Sequence, residues 1–352
     1  MLGDRTLTAA LELNSGLSSN FSFKNTAVQA AYVNQAHRWN WGVVGGQVPY
    51  LSGGIEQSIG TVGSEPSLID QTIIFRQTER SLAGLTQYPF SRSRRMEFQA
   101  GATRLSFDQI VETQAYSLNT GNLLLDNTKE SPIAHALTLG TASTAMVFDT
   151  SNSGPTSPVQ GTRYRLEAAP TFGSINYTSL LADYRRYFMP VSFYTVATRI
   201  MHYGRYGSGA EDPRFFPLFV GYPNLVRGYD MYSFSPDECS GVVNTTCPVF
   251  DRLFGSRMLV GNVEFRFPLL RPFAGATSGM YGPIPVELAL FADGGLAWNR
   301  GDRPSTNNGV SSAGVAFRVN LLGFAVAQLD VVKPFQRPQQ GWMFQFSLSP
   351  GF

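Results

Sequence analysis

The chain ends with residues 342–352, which read WMFQFSLSPGF. Successive side chains of a β-strand point to opposite faces, so here large apolar residues share one face and mostly polar residues share the other. An apolar face toward lipid and a polar face toward a water-filled interior are typical of the last strand of a membrane β-barrel. For this segment alone, an amphipathic strand of a soluble β-sandwich is the alternative. The apolar face comprises Trp342, Phe344, Phe346, Leu348 and Phe352.

The composition favours a barrel over a water-exposed globule. Charged residues make up 15% of the 352 residues, against about 25% in soluble proteins. Aromatic residues reach 13%, and glycine occurs 35 times. No apolar run of about 18 uncharged residues is present, so the sequence predicts no transmembrane helix. A barrel escapes that test because residues facing its interior interrupt the apolar ones.

Alternation of apolar and polar residues recurs along the whole chain. It predicts one domain over residues 1–352, an all-β transmembrane antiparallel β-barrel of about sixteen strands. About fourteen strands are the alternative if the hairpin of 108–117 and 121–127, supported by Asn119-Thr120-Gly121, does not form. The predicted strands are 5–14, 24–34, 39–50, 71–88, 94–104, 108–117, 121–127, 133–149, 160–171, 174–188, 191–204, 256–268, 284–298, 311–321, 323–333 and 341–352.

The connections alternate in length, as in barrels with short periplasmic turns and longer outer loops. An even strand count puts both termini on the periplasmic side. We therefore expect an integral protein of the bacterial outer membrane, with long loops outside and both termini periplasmic. Short turns are predicted at 35–38, 88–92 and 188–190, and outer loops at 53–69, 128–132 and, above all, 205–255.

The start of the chain carries no export signal, because Met1 is followed at once by Leu-Gly-Asp-Arg and a strand. An outer-membrane protein must be exported. We therefore expect that a signal peptide and an upstream periplasmic domain are absent from this chain.

Cys239 and Cys247 lie close together in a loop rich in glycine, serine and threonine. In an oxidising compartment they are expected to form a disulfide. A metal site is not expected, because two sulfur ligands need further partners and no histidine is near in sequence. The net charge of +2 argues against a nucleic-acid-binding surface.

No arrangement of residues predicts catalysis. His37, His135 and His202 are scattered over different predicted strands or turns. The nucleophile-elbow and zinc-protease motifs are both missing from the sequence. The acidic pair Glu211 and Asp212 is expected to be solvated. The sequence therefore predicts neither an enzyme nor a cofactor.

The long loop contains LFVGYPNLVRGYD at residues 218–230. Its Val226-Arg227-Gly228-Tyr229 resembles the V-R-G-[FY] motif of the bacterial surface antigen superfamily, which includes the BamA-type and two-partner-secretion barrels. Further matches are 262–268 (NVEFRFP), 291–295 (FADGG) with Trp298, and 314–320 (GVAFRVN), in which Ala316 replaces the second glycine of G-x-G-x-R.

The first 200 residues match that superfamily less sharply. Their LGDR, RWNW, YPFSRSRR and DYRRY segments resemble a subgroup whose barrel follows a TolB-like propeller. The resemblance as a whole implies an outer-membrane barrel that aids insertion or export of proteins.

Two inward-facing acids are predicted beneath the loop. Glu264 lies on the polar face of one strand and Asp293 on the polar face of the next, because a charge facing lipid would cost up to about 2–4 kcal/mol. A guanidinium can bond two carboxylates at once, and in the family this arginine docks on the matching acids. We expect Arg227 to bind Asp293 and secondarily Glu264, with Gly228 allowing close approach. The loop would then be pinned inside the barrel, as a simple stabiliser or as part of a conformational cycle.

The seam between the first and last strands is expected to be short and weak. Pro350 has no backbone N–H to donate, and proline is tolerated mainly at sheet edges. A weak seam would let an exposed edge pair with an incoming strand. Alternatively, Pro350 merely ends the strand. The predicted seam residues are Leu7, Leu11, Phe344, Phe346, Pro350 and Phe352.

The leading functional prediction is a barrel that aids insertion or export of proteins into or across the outer membrane. The expected partners are outer-membrane lipid, β-barrel or secreted client proteins, and an upstream periplasmic domain or partner. A passive pore and a plain membrane anchor for an upstream domain are the alternatives.

Overall fold

The structure is almost entirely β-sheet. A computed structural model describes residues 4–13, 23–239, 247–270, 285–305 and 308–350. Within these residues, no helix has the length and apolarity needed to cross a bilayer. The strands are β1 (Arg5–Leu13), β2 (Thr26–Asn34), β3 (Asn40–Val62), β4 (Glu65–Pro89), β5 (Arg94–Ser117), β6 (Leu123–Asp149), β7 (Asn152–Ser153), β8 (Pro158–Gly173), β9 (Tyr177–Val191), β10 (Tyr194–Tyr206), β11 (Leu218–Phe219), β12 (Phe254–Gly255), β13 (Arg257–Leu270), β14 (Val286–Trp298), β15 (Val310–Leu321), β16 (Ala325–Pro334) and β17 (Met343–Pro350).

Helical structure in the described residues is confined to short pieces. The one α-helix, α1, spans Pro248–Asp251, and 3-10 turns cover Phe23–Asn25, Met231–Ser233 and Pro236–Cys239. None is long enough to form a layer of its own.

The strands follow the chain order in one sheet, and neighbouring strands pair antiparallel. In the part of the chain that the structure describes, the sheet has 15 strands. β7 pairs with β8 and lies off the path, which leaves 14. β11 and β12 form a separate two-stranded sheet. An antiparallel sheet in which each strand pairs with its sequence neighbours needs only hairpin connections.

Alternation along β14 shows how the sequence places its residues. Ala289, Phe291 and Asp293 are buried, and the residues between them are more exposed. Leu290, for example, is 48% exposed. One face of the strand is thus covered by other parts of the protein. The opposite face carries apolar side chains that are exposed.

The observed strand path has 14 members rather than 16, because four predicted strands merge into two. Residues 94–104 and 108–117 are parts of β5, and 121–127 and 133–149 are parts of β6. The hairpin that Asn119-Thr120-Gly121 predicted does form, between β5 and β6. The break predicted at 128–132 was wrong because its polar residues include Glu130, which pairs with Arg76 within the sheet.

Two further predicted connections were wrong, and two were confirmed. Residues 53–69 are not a loop, because β3 and β4 pair continuously from Asn40↔Gln87 to Val62↔Glu65. All of residues 52–59 are exposed, so they lack the alternation by which a half-buried strand is recognised. The turn predicted at 188–190 lies instead at 192–193, while the short turns near 35–38 and 88–92 are present.

The chain divides into two compact units. The first comprises Met1–Tyr88, Glu97–Ser143 and Pro170–Asn176, and the second comprises Pro89–Met96, Thr144–Ala169 and Tyr177–Phe352. The second unit contains the long loop and the residues that resemble the superfamily motifs.

The first unit contains a buried arginine that the sequence analysis did not single out. Arg76 on β4 is 3% exposed and donates to Asp108 on β5 and to Glu130 on β6. It also donates to Asn25 of the 3-10 turn at 3.2 Å. Lys24 of the same turn bonds Glu130 at 3.0 Å. The turn before β2 is therefore held against the sheet by charged groups.

In the second unit, the long loop between β10 and β13 packs on the sheet through an apolar cluster. Val220, Val226, Tyr229 and Leu253 of the loop are fully buried at 0% exposure. They pack with residues of the strands, namely Met201, Met258, Val260, Ala297 and Val310. This burial fixes the loop over one face of β13, β14 and β15.

The uncovered face of the same strands should contact lipid. Val263 on β13 is 51% exposed. We expect Val263→Arg to lower the free energy of unfolding by about 2–4 kcal/mol if the residue lies near the midplane, because the charge would enter hydrocarbon. Urea titration of the protein in lipid vesicles, followed by tryptophan fluorescence, measures this change.

The matched control is Tyr232→Arg in the long loop, where the side chain is 93% exposed and lies outside the strands. This variant should unfold at the wild-type urea concentration. The same midpoint for both variants would contradict contact of the β13 face with lipid.

Candidate functional site

The tip of the long loop is a tight turn that presents Arg227 to the sheet. The backbone N–H groups of Leu225 and Val226 donate to the carbonyl oxygen of Tyr222 at 2.8 and 3.0 Å. Gly228 follows with φ +87°, in the region that favours glycine because it has no Cβ. Val226, before the arginine, is inserted in the apolar cluster.

Arg227 binds Asp293 of β14 through two side-chain hydrogen bonds. Its Nε donates to Oδ2 at 2.6 Å, and a terminal nitrogen donates to Oδ1 at 2.8 Å. The backbone N–H of Arg227 also points to Oδ2 at 3.3 Å. The two groups are 5% and 4% exposed. A bidentate, charge-assisted pair of this kind is among the stronger hydrogen-bonded contacts in proteins.

Three further groups surround the same guanidinium. A terminal nitrogen lies 2.9 Å from Oε1 of Glu264 on β13. The ring of Phe291 lies beneath it, with 3.4 Å between the guanidinium carbon and the ring centroid. Asp330 on β16 is farther away, at 3.8 Å. The structure therefore brings together Arg227 and both acids named from the sequence.

Asn262 on β13 ties the loop backbone to this pair. Its amide nitrogen donates to the carbonyl oxygen of Leu225 and to Oδ1 of Asp293, both at 2.8 Å. The carboxylate of Asp293 thus accepts from the arginine side chain and from the neighbouring strand, which fixes its orientation.

Gly228 lies close to the sheet. A Cβ at this position would be 3.2 Å from Val332 and 3.3 Å from Pro334, so a larger residue would be crowded as well as strained. Its N–H donates to Oε1 of Gln345 on β17 at 2.9 Å. Its carbonyl oxygen accepts from Arg337 at 2.7 Å. Backbone groups of the loop tip are thereby bound to β17 and to the β16–β17 connection.

Tyr229 completes the contact of the tip. Its ring is buried in the apolar cluster, and its hydroxyl lies 2.9 Å from the carbonyl oxygen of Ser311 and 2.7 Å from Oε1 of Gln336. The hydroxyl also accepts from the N–H of Gln336 at 3.2 Å. Its single proton can be donated to one of the two acceptors at a time.

The acids beneath the loop belong to a larger charge network. Glu264 also accepts from Arg266 at 2.7 Å and from Arg318 at 2.9 Å. Arg318 reaches Glu287 at 3.0 Å, and Ser157 donates to the same carboxylate at 3.0 Å. Charges buried in this way need partners, since removing one member of a buried pair costs about 3–5 kcal/mol.

Sequence reasoning missed several members of this network. Arg318 lies in the G-x-R match and Arg266 follows Glu264 on its strand, but neither was assigned a partner. Asp330 was also overlooked. Their alternation on the polar faces of β13, β15 and β16 was the available signal.

No alternation pattern in the sequence marks Arg337 as a buried residue. It lies in the connection between β16 and β17, and its side chain is fully buried. It donates to both oxygens of Glu238 at 2.7 and 2.6 Å and to the carbonyl oxygen of Ser233 at 2.8 Å. Its guanidinium lies 3.9 Å from the ring centroid of Phe234. From sequence alone, a single arginine in a polar segment cannot be told from an arginine that is exposed to solvent.

The remaining predicted residues lie away from this network. Leu7 and Leu11 on β1 and Phe344 and Phe346 on β17 are exposed. The backbone of Pro350 pairs with Ala325 of β16, and Phe352 lies outside the described residues. Cys239 and Cys247 form the expected disulfide.

A polar cavity of 440 Å³ lies beside the loop tip. Most of its lining residues are polar, and each of its five arginines is paired with an acid. Lining residues include Arg185, Arg199, Arg227, Arg266, Arg318 and Asp330. The arrangement as a whole holds a loop against a sheet.

The sequence and the fold of this chain are similar to those of known proteins. Residues 15–352 match the family described as the Omp85 superfamily domain. The fold is similar to BamA from Haemophilus ducreyi, in a crystal structure lacking POTRA domains 1–3. The TM-score is 0.56 and the sequence identity 13%, over 98% of this chain and 70% of that chain. At this identity the likeness shows the fold alone, and it confirms the predicted β-barrel. No curated protein sequence matches this chain.

Gly295 on β14 allows the loop to reach the sheet. A Cβ there would lie 2.6 Å from Val226 and 2.7 Å from Val220, closer than side-chain atoms normally approach. We expect Gly295→Ala to weaken loop packing by about 1–3 kcal/mol, as overpacking of a core does. Trypsin should then cleave within the loop severalfold faster in detergent solution.

Gly294→Ala is the matched control. A Cβ at Gly294 would meet only the carbonyl oxygen of Val310, at 4.0 Å. This variant should show the wild-type cleavage rate. Equal rates for the two alanine variants would argue against tight packing of the loop on β14.

The contact between Glu238 and Arg337 should depend on pH. Hydrogen bonds from Arg337 lower the pKa of the Glu238 carboxyl from its ordinary value of 4.5. A lowered pKa in the folded state adds stability that is present above pH 4.5 and is lost as pH falls through the folded-state pKa. The unfolding free energies of wild type and Glu238→Gln should therefore differ above pH 4.5 and converge below it. A constant difference across that range would contradict the ion pair.

Proposed function

This chain belongs to the Omp85 superfamily, and from that membership we propose that it aids insertion or export of β-rich proteins at the outer membrane. The chain is an integral outer-membrane β-barrel of the assembly and translocation type. The finer role rests on two features: a loop bound to the sheet by Arg227, and short strands at the two ends of the sheet.

The contact of Arg227 with Asp293 is the observation that carries the proposal. Because both groups are buried, separating them leaves a carboxylate and a guanidinium that must find water or new partners. The loop therefore has two distinct states, bound or released, with few stable positions between. A loop of this kind can open and close the interior of a barrel during a transport cycle.

The first and last strands support a role in strand pairing. Within the described residues, β17 spans 8 residues and β1 spans 9, at or below the roughly 9–11 residues that a tilted strand needs to cross a bilayer. Short strands form few hydrogen bonds along a seam. We propose that a client strand pairs with one of these edges, as sheet edges do in β-augmentation.

The orientation of the chain is part of the same proposal. The path has 14 strands in the described residues, an even number. We propose that both termini lie in the periplasm and that the long loop lies outside. An upstream periplasmic domain or partner would then deliver clients to the seam. The resemblance to barrels that follow a TolB-like propeller stays a prediction.

A passive pore is the second candidate, and the polar cavity of 440 Å³ beside the loop tip favours it. In a pore, the charged lining would conduct ions whether or not Arg227 binds the acids. Large single-channel conductance that is unchanged in Arg227→Ala would support the pore. A role as a simple anchor requires only the fold, so replacement by an unrelated barrel would preserve function.

The central experiment removes the arginine from the loop. We expect Arg227→Ala to weaken loop anchoring by about 3–5 kcal/mol, because Asp293 and Glu264 lose a buried cation. Chymotrypsin, whose aromatic cleavage sites this substitution leaves intact, should cut within residues 207–256 faster. Client proteins should be crosslinked less efficiently from photoreactive residues at Leu7 and Phe346 in living cells.

Arg214→Ala is the matched control in the same loop. Arg214 pairs with Asp212 at 2.8 Å, and both residues belong to the loop. This variant should behave as wild type in both assays. If Arg227→Ala leaves cleavage unchanged, the anchored loop is wrong. If no client is captured at Leu7 or Phe346, the strand-pairing role is wrong.

A further inference from the structure

An apolar groove of 420 Å³ runs along the outward surface of the second unit. This volume falls within the range of about 300–1,000 Å³ that is typical of small-molecule sites. Asp183 also borders the groove, but its carboxylate is already bonded to Arg185 and Arg199. The groove is lined by side chains that include Tyr164, Leu166, Tyr184, Ile200, His202 and Leu259.

Polar and aromatic side chains continue from one end of this groove. His202 is part of its lining, and the Nε2 atom lies 2.7 Å from the hydroxyl of Tyr206. The ring of Trp298 lies 5.8 Å from the His202 ring. Arg257 covers Tyr206, with 4.6 Å between the guanidinium carbon and the ring centroid. Arg257 and Leu259 are two residues apart on one strand face, about 7 Å along the strand.

The guanidinium of Arg257 contacts the Tyr206 ring and is bonded to no carboxylate among the described residues. Its Nε is buried and makes no hydrogen bond. Glu211 is near enough to interact electrostatically with it. The Glu211 carboxylate is instead bonded to Ser256 at 2.7 Å and to the backbone N–H of Arg300 at 2.6 Å. The guanidinium donors therefore remain available to an anion.

We propose that the groove and Arg257 together bind a phosphate-bearing membrane lipid. The acyl chain lies along the apolar groove, and the phosphate binds Arg257, whose planar guanidinium suits phosphate oxygens. Because Arg257 is positively charged, the site should prefer a lipid with an anionic headgroup. Tyr206 and Trp298 lie at strand ends, where aromatic side chains meet the headgroup region of a membrane. The proposal needs a membrane-embedded barrel but no client, so it stands or falls separately from the transport role.

Native mass spectrometry of the whole chain in detergent tests this site with three probes. Dioleoyl phosphatidic acid supplies chain and phosphate, dioleoylglycerol supplies the chains alone, and glycerol 3-phosphate supplies the headgroup alone. We expect only the first to bind well. Arg257→Gln should weaken its binding about tenfold, as for loss of one charge-assisted hydrogen bond. Ile200→Trp, which fills the groove, should weaken it without removing the cation.

Arg38→Gln is the matched control. Arg38 also covers a tyrosine ring, Tyr88 at 4.8 Å, but it takes no part in lining the groove. This variant should bind phosphatidic acid as wild type does.

Unchanged trypsin cleavage of the long loop in Arg257→Gln will show that the loss of lipid binding is local. Equal binding of the phosphate-free lipid, or wild-type binding by Arg257→Gln, would overturn the proposal. Equal binding of glycerol 3-phosphate would overturn it in favour of a site for free anions.

Discussion

The structure of the second unit depends on a buried positive charge that must have partners. Arg227 leaves water when the loop packs on the sheet, and the sheet register places its partners around it. In the pairing of β13 with β14, Asn262 lies opposite Asp293 and Glu264 lies opposite Phe291. Directly opposed side chains are about 4.5–5.5 Å apart at Cβ. The carboxylates of Asp293 and Glu264 and the ring of Phe291 therefore surround one guanidinium, and the Asn262 amide holds the Asp293 carboxylate. A one-residue shift of this register would turn the acids to the other face.

Apolar packing and charge pairing make different contributions to the same loop. Val220, Val226 and Tyr229 are buried with strand residues, and burial of apolar side chains is the main favourable term in packing. The ion pairs add less net free energy, because desolvation of the charges offsets much of their attraction. They act instead on geometry, since a displaced loop leaves Asp293 without its cation. Gly295 leaves room for the apolar packing of Val220 and Val226. Asn262 and Glu264 take part in the polar contacts of Leu225 and Arg227.

The sequence predicted the sheet and the main partners of Arg227 where period-two alternation was present. Glu264 and Asp293 could be placed on inward faces because apolar residues flank each of them on β13 and β14. The same reasoning failed over residues 52–59 of β3, because a strand exposed on both faces has no alternation. Arg337 and Arg76 could not be found either. Their partners, Glu238 and Glu130, are distant in sequence, and no local pattern marks an arginine that will be buried.

Arg76 and Arg227 are both buried, but they hold their segments in different ways, and the difference bears on which one can act as a switch. Arg76 belongs to the sheet together with Asp108 and Glu130, while the attached turn supplies Asn25 and Lys24. Release of that turn would leave the acids of the sheet paired with Arg76. Arg227 belongs to the loop, and its acids belong to the sheet. Release of the long loop therefore separates Asp293 from its arginine, which is why this contact should be nearly all-or-none.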